Sequence, residues 1–320
     1  MKFDVFNGDA DGICALLQLR MAEPLDSILI TGVKRDISLL KRIKANAGDT
    51  ITVLDVSLDK NRQPLLNLLE NQIDVFYVDH HQPGEIPEHP KLKTLIDTDA
   101  SICTSLLVDQ YLNRRFSAWA VTAAFGDNLE QSALRVAQPM NLSVEQLEQL
   151  RQLGICINYN AYGESVDDLH FAPDILFKSL YGYYSPFEFI SDKSQLFQQL
   201  VDGYISDMER AFRVLPEYQT DKVALFILPD EKWARRVSGV WSNELANQNH
   251  DRAHAVLTHN RQGGFLVSVR APLSNKTGAD ELCASFPGGG GRKSAAGINH
   301  LAQENLSKFL EAFVLKYSKA

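Results

Sequence analysis

The feature that most constrains this chain is the alternation, over its first hundred residues, of short apolar runs with segments of helical spacing. Five runs have the length and composition of buried strands: KFDVF (2–6), SILITG (27–32), TITVLDVS (50–57), DVFYVDHH (74–81) and KTLID (93–97). Helical spacing fills the intervals at 12–22, 38–46 and 61–72. Strands and helices that alternate in this way indicate βαβ units, so we predict a parallel sheet covered by helices.

The rest of the chain predicts a helical extension and then a second domain. From residue 100 to about 215 the spacing is mainly helical, as at 143–154 and 193–215. Strands return at 222–229, 253–260 and 263–272, with helices at 237–248 and 304–317. We therefore predict an α/β protein with an N-terminal parallel-sheet domain (1–190), a connecting helix (191–219) and a smaller α/β domain (220–320). A chain of 320 residues that is 45% hydrophobic can fill two cores.

The charge is unevenly distributed along the chain. The net charge of -8 argues against a protein that binds long duplex nucleic acid, since such binding needs many Lys and Arg contacts to phosphates. Before Thr220 there are 19 basic and 31 acidic residues, and from Thr220 onward 13 basic and 9 acidic residues. An acidic part suited to cations and a basic part suited to phosphates favour a metal-dependent enzyme with a small anionic substrate.

The cysteines and the absence of long apolar runs predict the cellular compartment. Four cysteines lie far apart without CxxC spacing, which is typical of reduced, buried thiols: Cys14, Cys103, Cys156 and Cys283. The chain starts without a basic segment followed by an apolar one, and it has no apolar run long enough to span a bilayer. We expect a cytoplasmic protein with no membrane partner.

Acidic and imidazole side chains follow three of the predicted strands. At these strand ends stand Asp9 and Asp11, then Asp55, and then Asp79 with His80 and His81. The carboxyl ends of parallel strands share one edge of the sheet, so these side chains are expected to converge. Asp127, which follows an apolar helical stretch, can reach the same edge. Oxygen ligands with one imidazole suit Mn²⁺ or Mg²⁺, and the lack of a thiolate argues against structural zinc.

Each of these groups also has an ordinary structural explanation. Asp9 and Asp11 stand beside glycines and can form a turn. Asp55 can cap the following helix, and the two histidines can belong to a surface turn. What these explanations leave open is why four strand or helix ends all carry an acid. Gathering that much like charge is costly unless cations neutralise it, which favours a metal site.

The sequence motifs, and their order along the chain, resemble those of the DHH phosphoesterase superfamily, in the subfamily with a DHHA1 domain. The matching motifs are DAD (9–11), Asp55, DHH (79–81), the hydroxyl-rich ASICTS (100–105), Asp127 and GGGGRKSAAG (288–297). The resemblance spans essentially the whole chain. The group includes RecJ exonucleases, nano-RNases and cyclic-dinucleotide phosphodiesterases.

The resemblance implies two Mn²⁺ ions bridged by Asp55, with Mg²⁺ or another divalent ion as the substitute. One ion would be held by Asp9 and Asp55, and the other by Asp11, Asp55, His80 and Asp127. Asp79 would orient His80 and fix its tautomer, and His81 would face the substrate phosphate.

The resemblance also implies a set of substrate contacts. These are Ser101 and Thr104 in the first domain, and Arg270, Gly289, Gly290, Gly291 and Arg292 in the second. The glycines would leave backbone N–H groups accessible, and 295–297 would begin a close-packed turn. The sequence departs from the family pattern twice. Val5 stands where many relatives have a metal-binding histidine, and Asn7 can offer only a neutral oxygen, so the first metal is expected to be held loosely. Arg292 stands where histidine is usual.

Together these expectations describe a Mn²⁺-dependent phosphodiesterase that cleaves short linear oligonucleotides in a cleft between its domains. The leading substrate is a 5′-phosphorylated dinucleotide such as pGpG, which would place the enzyme in c-di-GMP signalling, as a monomer or a homodimer. The alternatives are a RecJ-like single-strand exonuclease, a 3′-phosphonucleotide (pAp) phosphatase and a cyclic-dinucleotide phosphodiesterase. Outside the enzymes, the chain would be a degenerate nucleotide-binding scaffold that has lost catalysis.

Overall fold

The computed structural model describes residues 1–318 and divides into two compact units, Met1–Tyr204 and Ile205–Ala320. The boundary between the units falls inside a long helix, Ser194–Phe212, which occupies most of the segment predicted as the connection. Within residues 1–318, no helix is both long enough and apolar enough to cross a membrane.

The first unit is built on a five-stranded sheet. Its strands are β1 (Lys2–Phe6), β2 (Ile28–Ile30), β3 (Thr50–Leu54), β4 (Asp74–Asp79) and β5 (Leu92–Ile96), in the spatial order β2-β1-β3-β4-β5. Every neighbouring pair is parallel, so the predicted parallel sheet is confirmed. The order changes direction between β1 and β3, and the carboxyl ends of strands at such a switch point are where open α/β sheets place their ligands.

Helices cover the sheet and extend it. They are α1 (Ala10–Ala22), α2 (Leu58–Glu70), α3 (Thr104–Tyr111), α4 (Ser117–Gly126), α5 (Glu130–Ala137), α6 (Val144–Asn160), α7 (Pro173–Leu180), α8 (Pro186–Asp192) and α9 (Ser194–Phe212). Helix α1 is buried from Ala10 to Arg20, because α3 and α4 pack on it as well as the sheet. The segment after residue 100 is thus mainly helical, as predicted.

A close crossing of α4 and α6 positions the end of α4. A Cβ atom on Gly154 would lie 2.0 Å from the carbonyl oxygen of Thr122, and one on Gly126 would lie 2.6 Å from the Cβ of Ala10. Glycine at both positions therefore lets three helices approach more closely than any larger residue allows. Asp127, directly after α4, is carried to the beginning of α1 by this packing.

One predicted helix is nearly absent. The spacing at 38–46 indicates a helix, but the structure has a single 3₁₀ turn, Leu39–Arg42, and the backbone is extended at Ile43. The buried side chain of Asn61 explains the difference. It accepts a hydrogen bond from the N–H of Leu40 (3.2 Å) and donates one to the carbonyl oxygen of Ile37 (2.6 Å), so backbone groups that would join a helical ladder have other partners.

The second unit contains a six-stranded mixed sheet. Its strands are β6 (Tyr218–Gln219), β7 (Val223–Leu228), β8 (Ala253–Asn260), β9 (Gly264–Arg270), β10 (Gly289–Gly291) and β11 (Ala295–Ala302), in the order β10-β11-β9-β8-β7-β6. The pair β7 and β8 is parallel, and the other neighbouring pairs are antiparallel. Three helices accompany the sheet: α10 (Lys232–Gln248), α11 (Ala279–Ala284) and α12 (Leu306–Ser318). Phe309 and Phe313 of α12 are fully buried in its core.

The glycine-rich motif of the second unit forms a hairpin. The sequence predicted a turn beginning at 295–297, but these residues begin strand β11, and 289–291 form β10 at the sheet edge. Packing explains two of the glycines. A Cβ on Gly289 would lie 1.9 Å from the carbonyl oxygen of Cys283, and Gly291 has a φ of +145° and lies against Ala296. Nothing lies within 4 Å of a Cβ built on Gly290.

Candidate active site

Asp9 begins the site at the carboxyl end of β1, where it caps helix α1. Its Oδ1 accepts hydrogen bonds from the backbone N–H groups of Asp11 (3.0 Å) and Gly12 (3.1 Å). A Cβ on Gly12 would lie 2.2 Å from the carbonyl oxygen of Asn7, so the tight turn into α1 requires glycine there. The turn-forming role weighed for this motif is therefore real, and it leaves Asp9 Oδ2 for another partner.

Asp11 is held by the beginning of helix α3. Its Oδ1 accepts from the N–H of Ser105 (2.6 Å) and its Oδ2 from the N–H of Thr104 (2.8 Å). The first N–H groups of a helix lack partners within the helix and carry partial positive charge, so they suit a buried carboxylate. The hydroxyl-rich segment 100–105 thus binds the Asp11 carboxylate through its backbone N–H groups.

The two hydroxyl residues predicted to contact substrate have different surroundings. Thr104 is fully buried, with its hydroxyl 3.5 Å from Asp55 Oδ1. Ser101 lies in a local turn, where its hydroxyl donates to Asp99 (2.6 Å) and its carbonyl oxygen accepts from the Ser132 hydroxyl (2.7 Å). The structure brings Thr104 to the acidic residues and Ser101 to a turn beside them. Substrate binding by either residue stays a prediction.

Asp55 follows β3 in a conformation that L-amino acids rarely adopt. Its φ is +56°, in the left-handed region, which Asp and Asn enter more readily than other L-residues. The side chain is 3% exposed. Burial, and then the charges of Asp9 and Asp11, raise the pKa of Asp55 well above its usual value. This buried cluster of acids favours a bound cation.

His80 points its Nε2 atom at the acids. Its Nδ1 lies 3.0 Å from the carbonyl oxygen of Ile102, an acceptor that requires the proton on Nδ1. Nε2 is then free to coordinate a cation, and it lies 3.4 Å from Asp55 Oδ1, 3.9 Å from Asp11 Oδ2 and 4.0 Å from Asp127 Oδ2. A backbone carbonyl fixes the ring in the way that metal-binding histidines commonly use.

The prediction that Asp79 orients His80 is wrong. Asp79 Oδ1 lies 2.7 Å from Nδ1 of His81 instead. In extended backbone the side chains of residues i and i+2 point to the same side, which brings Asp79 to His81 and turns His80 away. The hydrogen bond to Asp79, opposed by burial, raises the pKa of His81 above its usual value. The His81 side chain is 46% exposed, so it can meet a ligand.

Asp127 joins the cluster from the end of α4. Burial, and then the charge of Asp11, raise the pKa of Asp127 to about 6. Its two oxygens face different groups: Oδ2 lies 4.0 Å from Nε2 of His80, and Oδ1 lies 3.5 Å from Nζ of Lys34.

Lys34 is a cationic side chain at this edge that sequence reasoning missed. Its ammonium group binds Asp9 Oδ2 and Asn158 Oδ1, the latter at 2.9 Å. Burial of Asp9 is outweighed by the charge and hydrogen bond of Lys34, so the pKa of Asp9 lies below its usual value. The signal was available in principle, because Lys34 follows a strand of the same sheet just as the acids do.

The ligand atoms fit a divalent metal of the Mn²⁺ and Mg²⁺ class. Two sets of three ligand atoms occur, and the atoms within each set lie within 4.8 Å of one another. One set comes from Asp11, His80 and Asp127, and the other from Asp55, His80 and His81, so His80 belongs to both. Carboxylate oxygens with imidazole nitrogen are the donors these ions accept. Asp9 belongs to neither set.

The predicted substrate contacts of the second unit lie on β9, on β10 and in the turn after β10. The guanidinium of Arg270 donates to Asn243 Oδ1 (2.6 Å) and to the Ser268 hydroxyl (2.9 Å), which fixes its direction. Arg292 lies in the turn between β10 and β11, where its N–H donates to the carbonyl oxygen of Ala295 (2.9 Å). Its side chain is exposed, and it is available to a ligand.

Solved structures of RecJ share this fold. RecJ from Thermus thermophilus in complex with Mn²⁺ has a TM-score of 0.66 and 17% sequence identity, covering 100% of this chain and 52% of that one. Exonuclease RecJ bound to manganese has a TM-score of 0.63 and 16% identity, with coverages of 98% and 89%. CDC45 from Entamoeba histolytica has a TM-score of 0.50 and 10% identity, with coverages of 99% and 95%.

These similarities lie in structure. No protein-family model matches the sequence, and no curated protein matches it. The chain spans about half the length of the Thermus RecJ and most of the second RecJ structure. Its parallel sheet carries the DHH motif residues at one edge, and its mixed sheet carries the glycine-rich motif at another. The chain therefore has the fold of these RecJ structures, which is the fold that its motifs predicted.

Proposed function

We propose that the chain is a metal-dependent phosphoesterase that hydrolyses phosphodiester bonds in nucleotides. The observation that carries the proposal is the convergence of buried acids and His80 at the switch point of a RecJ-like sheet. Four residues would hold the metal: Asp11, Asp55, His80 and Asp127. A divalent cation bound there would supply Lewis acidity toward water and neutralise charge on the phosphate.

His81 and Asp79 would act on the substrate as a pair. Because Asp79 occupies Nδ1 of His81, the Nε2 atom of this half-exposed ring remains for a ligand. The hydrogen bond to Asp79 also raises the pKa of His81, which favours the protonated form of the ring. A protonated His81 can donate a hydrogen bond to a phosphate oxygen and stabilise the charge that develops there during hydrolysis.

Short, linear substrates suit this chain best. The net charge of -8 disfavours binding along a long phosphate backbone. Arg292 offers an exposed guanidinium suited to a terminal phosphate. We therefore take a 5′-phosphorylated dinucleotide such as pGpG as the leading substrate. A RecJ-like exonuclease is equally consistent with the structural neighbours, which are RecJ structures.

A substrate panel separates these candidates. Purified protein would be assayed with Mn²⁺, with Mg²⁺ and with EDTA on pGpG, 5′-phosphorylated single-stranded oligonucleotides, cyclic di-GMP and pAp. We expect hydrolysis that requires metal, with the highest kcat/KM on pGpG. Faster degradation of the long oligonucleotides would favour the exonuclease. If the wild type hydrolysed none of them faster than an Asp55→Asn variant does, the result would contradict an enzyme and favour a nucleotide-binding scaffold.

Arg292 provides a finer test of the dinucleotide. If its guanidinium binds the 5′-phosphate, Arg292→Ala should lower kcat/KM on pGpG at least about tenfold and leave that on unphosphorylated GpG nearly unchanged. Lys293→Ala, which removes a neighbouring exposed charge, is the matched control. Equal losses on pGpG and GpG would show that Arg292 does not bind the terminal phosphate.

A further inference from the structure

Lys34 places a fixed positive charge among the acids of the active site. Its Nζ lies against Asp9 Oδ2, 2.9 Å from Asn158 Oδ1 and 3.5 Å from Asp127 Oδ1. These are buried or half-buried partners: the side chain of Asp9 is 2% exposed and that of Lys34 is 28% exposed. This contact is therefore unlike a surface ion pair, which is solvated and weakly held.

The backbone of Lys34 is anchored on both sides. Its N–H donates to the carbonyl oxygen of Ala161 (2.9 Å), just after α6, and its carbonyl oxygen accepts from Nδ2 of Asn7 (3.3 Å). The side chain also passes the ring of Tyr162, whose centroid lies 6.0 Å from Nζ. The loop after β2 is thus tied to α6 and to the residues after β1, and this holds the ammonium group at Asp9.

Asp9, like Asp11, has a protein partner on each carboxylate oxygen, but one partner of Asp9 is a cation. Oδ1 caps helix α1, and Oδ2 binds the ammonium of Lys34. A metal ion bound to Oδ2 at the usual distance of about 2.1 Å would lie close beside Nζ, and two cations at such a distance repel strongly in a buried site. Asp9 is accordingly the acid of the DAD motif that shares no ligand set with His80.

We propose that this active site binds a single divalent ion and that the Lys34 ammonium stands beside Asp9 in place of a second ion. The ion would be held by Asp11, Asp55, His80 and Asp127. This inference rests on the proposed metal-dependent function, and it departs from the two ions that the family resemblance implied.

An ammonium group in place of a metal ion changes the chemistry at one side of the site. An ammonium group neutralises charge and donates hydrogen bonds to a phosphate oxygen, but it offers no coordination position for water. Asp127 connects the two cationic positions, because one of its oxygens faces Lys34 and the other faces His80. Lys34 is therefore assigned as a positioning residue that orients Asp9 and Asp127.

Metal stoichiometry tests the proposal without any substrate. The full chain, stripped of metal with EDTA, would be titrated with Mn²⁺ by calorimetry, and bound metal would be counted by mass spectrometry after desalting. We expect one ion per chain in the wild type and two in Lys34→Ala, which frees Asp9. The exposed lysine variant Lys41→Ala should keep one ion. Two ions in the wild type, or one ion in Lys34→Ala, would overturn the proposal.

A second variant covers the case in which Lys34→Ala fails to fold. Asp9→Asn retains the oxygen that caps α1, so it should still bind one Mn²⁺ per chain, whereas Asp127→Asn should bind it at least about tenfold more weakly. Loss of the ion in Asp9→Asn would contradict the assignment. Electron paramagnetic resonance adds an independent reading. Saturated wild type should give the spectrum of an isolated Mn²⁺ ion, and an exchange-coupled pair would overturn the proposal.

The proposed function can fail separately from this inference. A protein that binds one Mn²⁺ but hydrolyses no nucleotide in the panel would refute the enzyme and leave the single ion standing. A protein that hydrolyses nucleotides with two bound ions would support the enzyme and refute the single ion.

Discussion

Two buried carboxylates of the same sheet have opposite surroundings. Asp4, in the middle of β1, accepts hydrogen bonds from Arg20 Nε (2.7 Å), Arg20 Nη2 (2.5 Å) and the Ser27 hydroxyl (2.6 Å). Asp55, just past the end of β3, faces His80 and several other acids and has no Lys or Arg partner among residues 1–318. The protein itself compensates the charge of Asp4, while the charge of Asp55 is left for a cation from solution.

The backbone follows the same division. Asp4 lies within the regular ladder of β1, paired with Leu29 and Thr52. Asp55 has a φ of +56° at the point where the ladder ends. Left-handed backbone and uncompensated charge thus coincide at Asp55 and are both absent at Asp4, so Asp4 stabilises the fold and Asp55 forms the candidate site. Neutralising each of them should therefore have opposite effects.

The largest expected effect is loss of activity in Asp55→Asn. The substitution keeps the shape of the side chain, but it removes the charge that faces His80 and the neighbouring acids. We expect kcat/KM to fall by at least about 10⁴-fold on the best substrate of the panel at saturating Mn²⁺. Asp59→Asn, at an exposed position of α2, is the control. Activity within about tenfold of the wild type would remove Asp55 from the site.

Breaking the compensated pair should instead affect stability. Arg20→Met leaves Asp4 buried without its cation, so the free energy of unfolding should fall by about 3 to 5 kcal/mol. Urea denaturation followed by circular dichroism measures it. The double variant Arg20→Met with Asp4→Leu should recover much of the loss, since no unpaired charge remains. A loss below about 1 kcal/mol in the single variant would mean that Asp4 is not stabilised by Arg20.

The acidic site should also make the metal-free protein less stable as the pH rises. The pKa of Asp127 is about 6 in the folded chain and 3.8 when unperturbed, so the folded state keeps this proton to a higher pH than the unfolded state. Its contribution to stability is therefore present below about pH 4 and is lost as the pH rises to about 6. A shift of this size corresponds to about 2 to 3 kcal/mol.

Denaturant titrations of the EDTA-treated protein at a series of pH values would measure this slope. Asp127→Asn should flatten it, and saturating Mn²⁺ should reverse it, because metal binds the ionised carboxylate. A slope that is unchanged in Asp127→Asn would assign the pH dependence to other groups.

The smallest expected effect tests the difference between Asp55 and Asp4 in one measurement. In metal-free protein at neutral pH, Asp55→Asn should raise the free energy of unfolding, since an amide carries no charge to be buried or to be repelled by Asp9 and Asp11. Asparagine also tolerates the left-handed backbone at this position. Asp4→Asn should lower the free energy of unfolding in the same measurement. If both variants were destabilised alike, the two acids would not differ in the way described.

The sequence was sufficient to predict the sheet and the convergence of the acids. Strand periodicity located β1 to β5 to within a few residues, and the shared edge of parallel strands then placed Asp9, Asp11 and Asp55 together. This inference needs only strand direction, and strand direction follows from the helices between the strands.

Other features depended on information that the sequence pattern does not contain. Lys34 reaches Asp9 because β2 lies beside β1, and strand order is not encoded in periodicity. The pairing of Asp79 with His81 depends on where the strand ends and which way each side chain then points. The segment 38–46 has helical spacing, but the distant Asn61 supplies its hydrogen-bond partners. In each case a tertiary contact decided what local spacing left open.

The glycine crossing of α4 and α6 has a consequence for how this site tolerates change. The carboxylate of Asp127 depends on contacts at Gly154, a residue on another helix that offers no side chain to any ligand. A methyl group at Gly154 would meet the carbonyl oxygen of Thr122 at 2.0 Å, so α4 would have to shift and would carry Asp127 with it. Variation at an apolar helix interface would thus displace a carboxylate of the candidate site without changing any residue of that site.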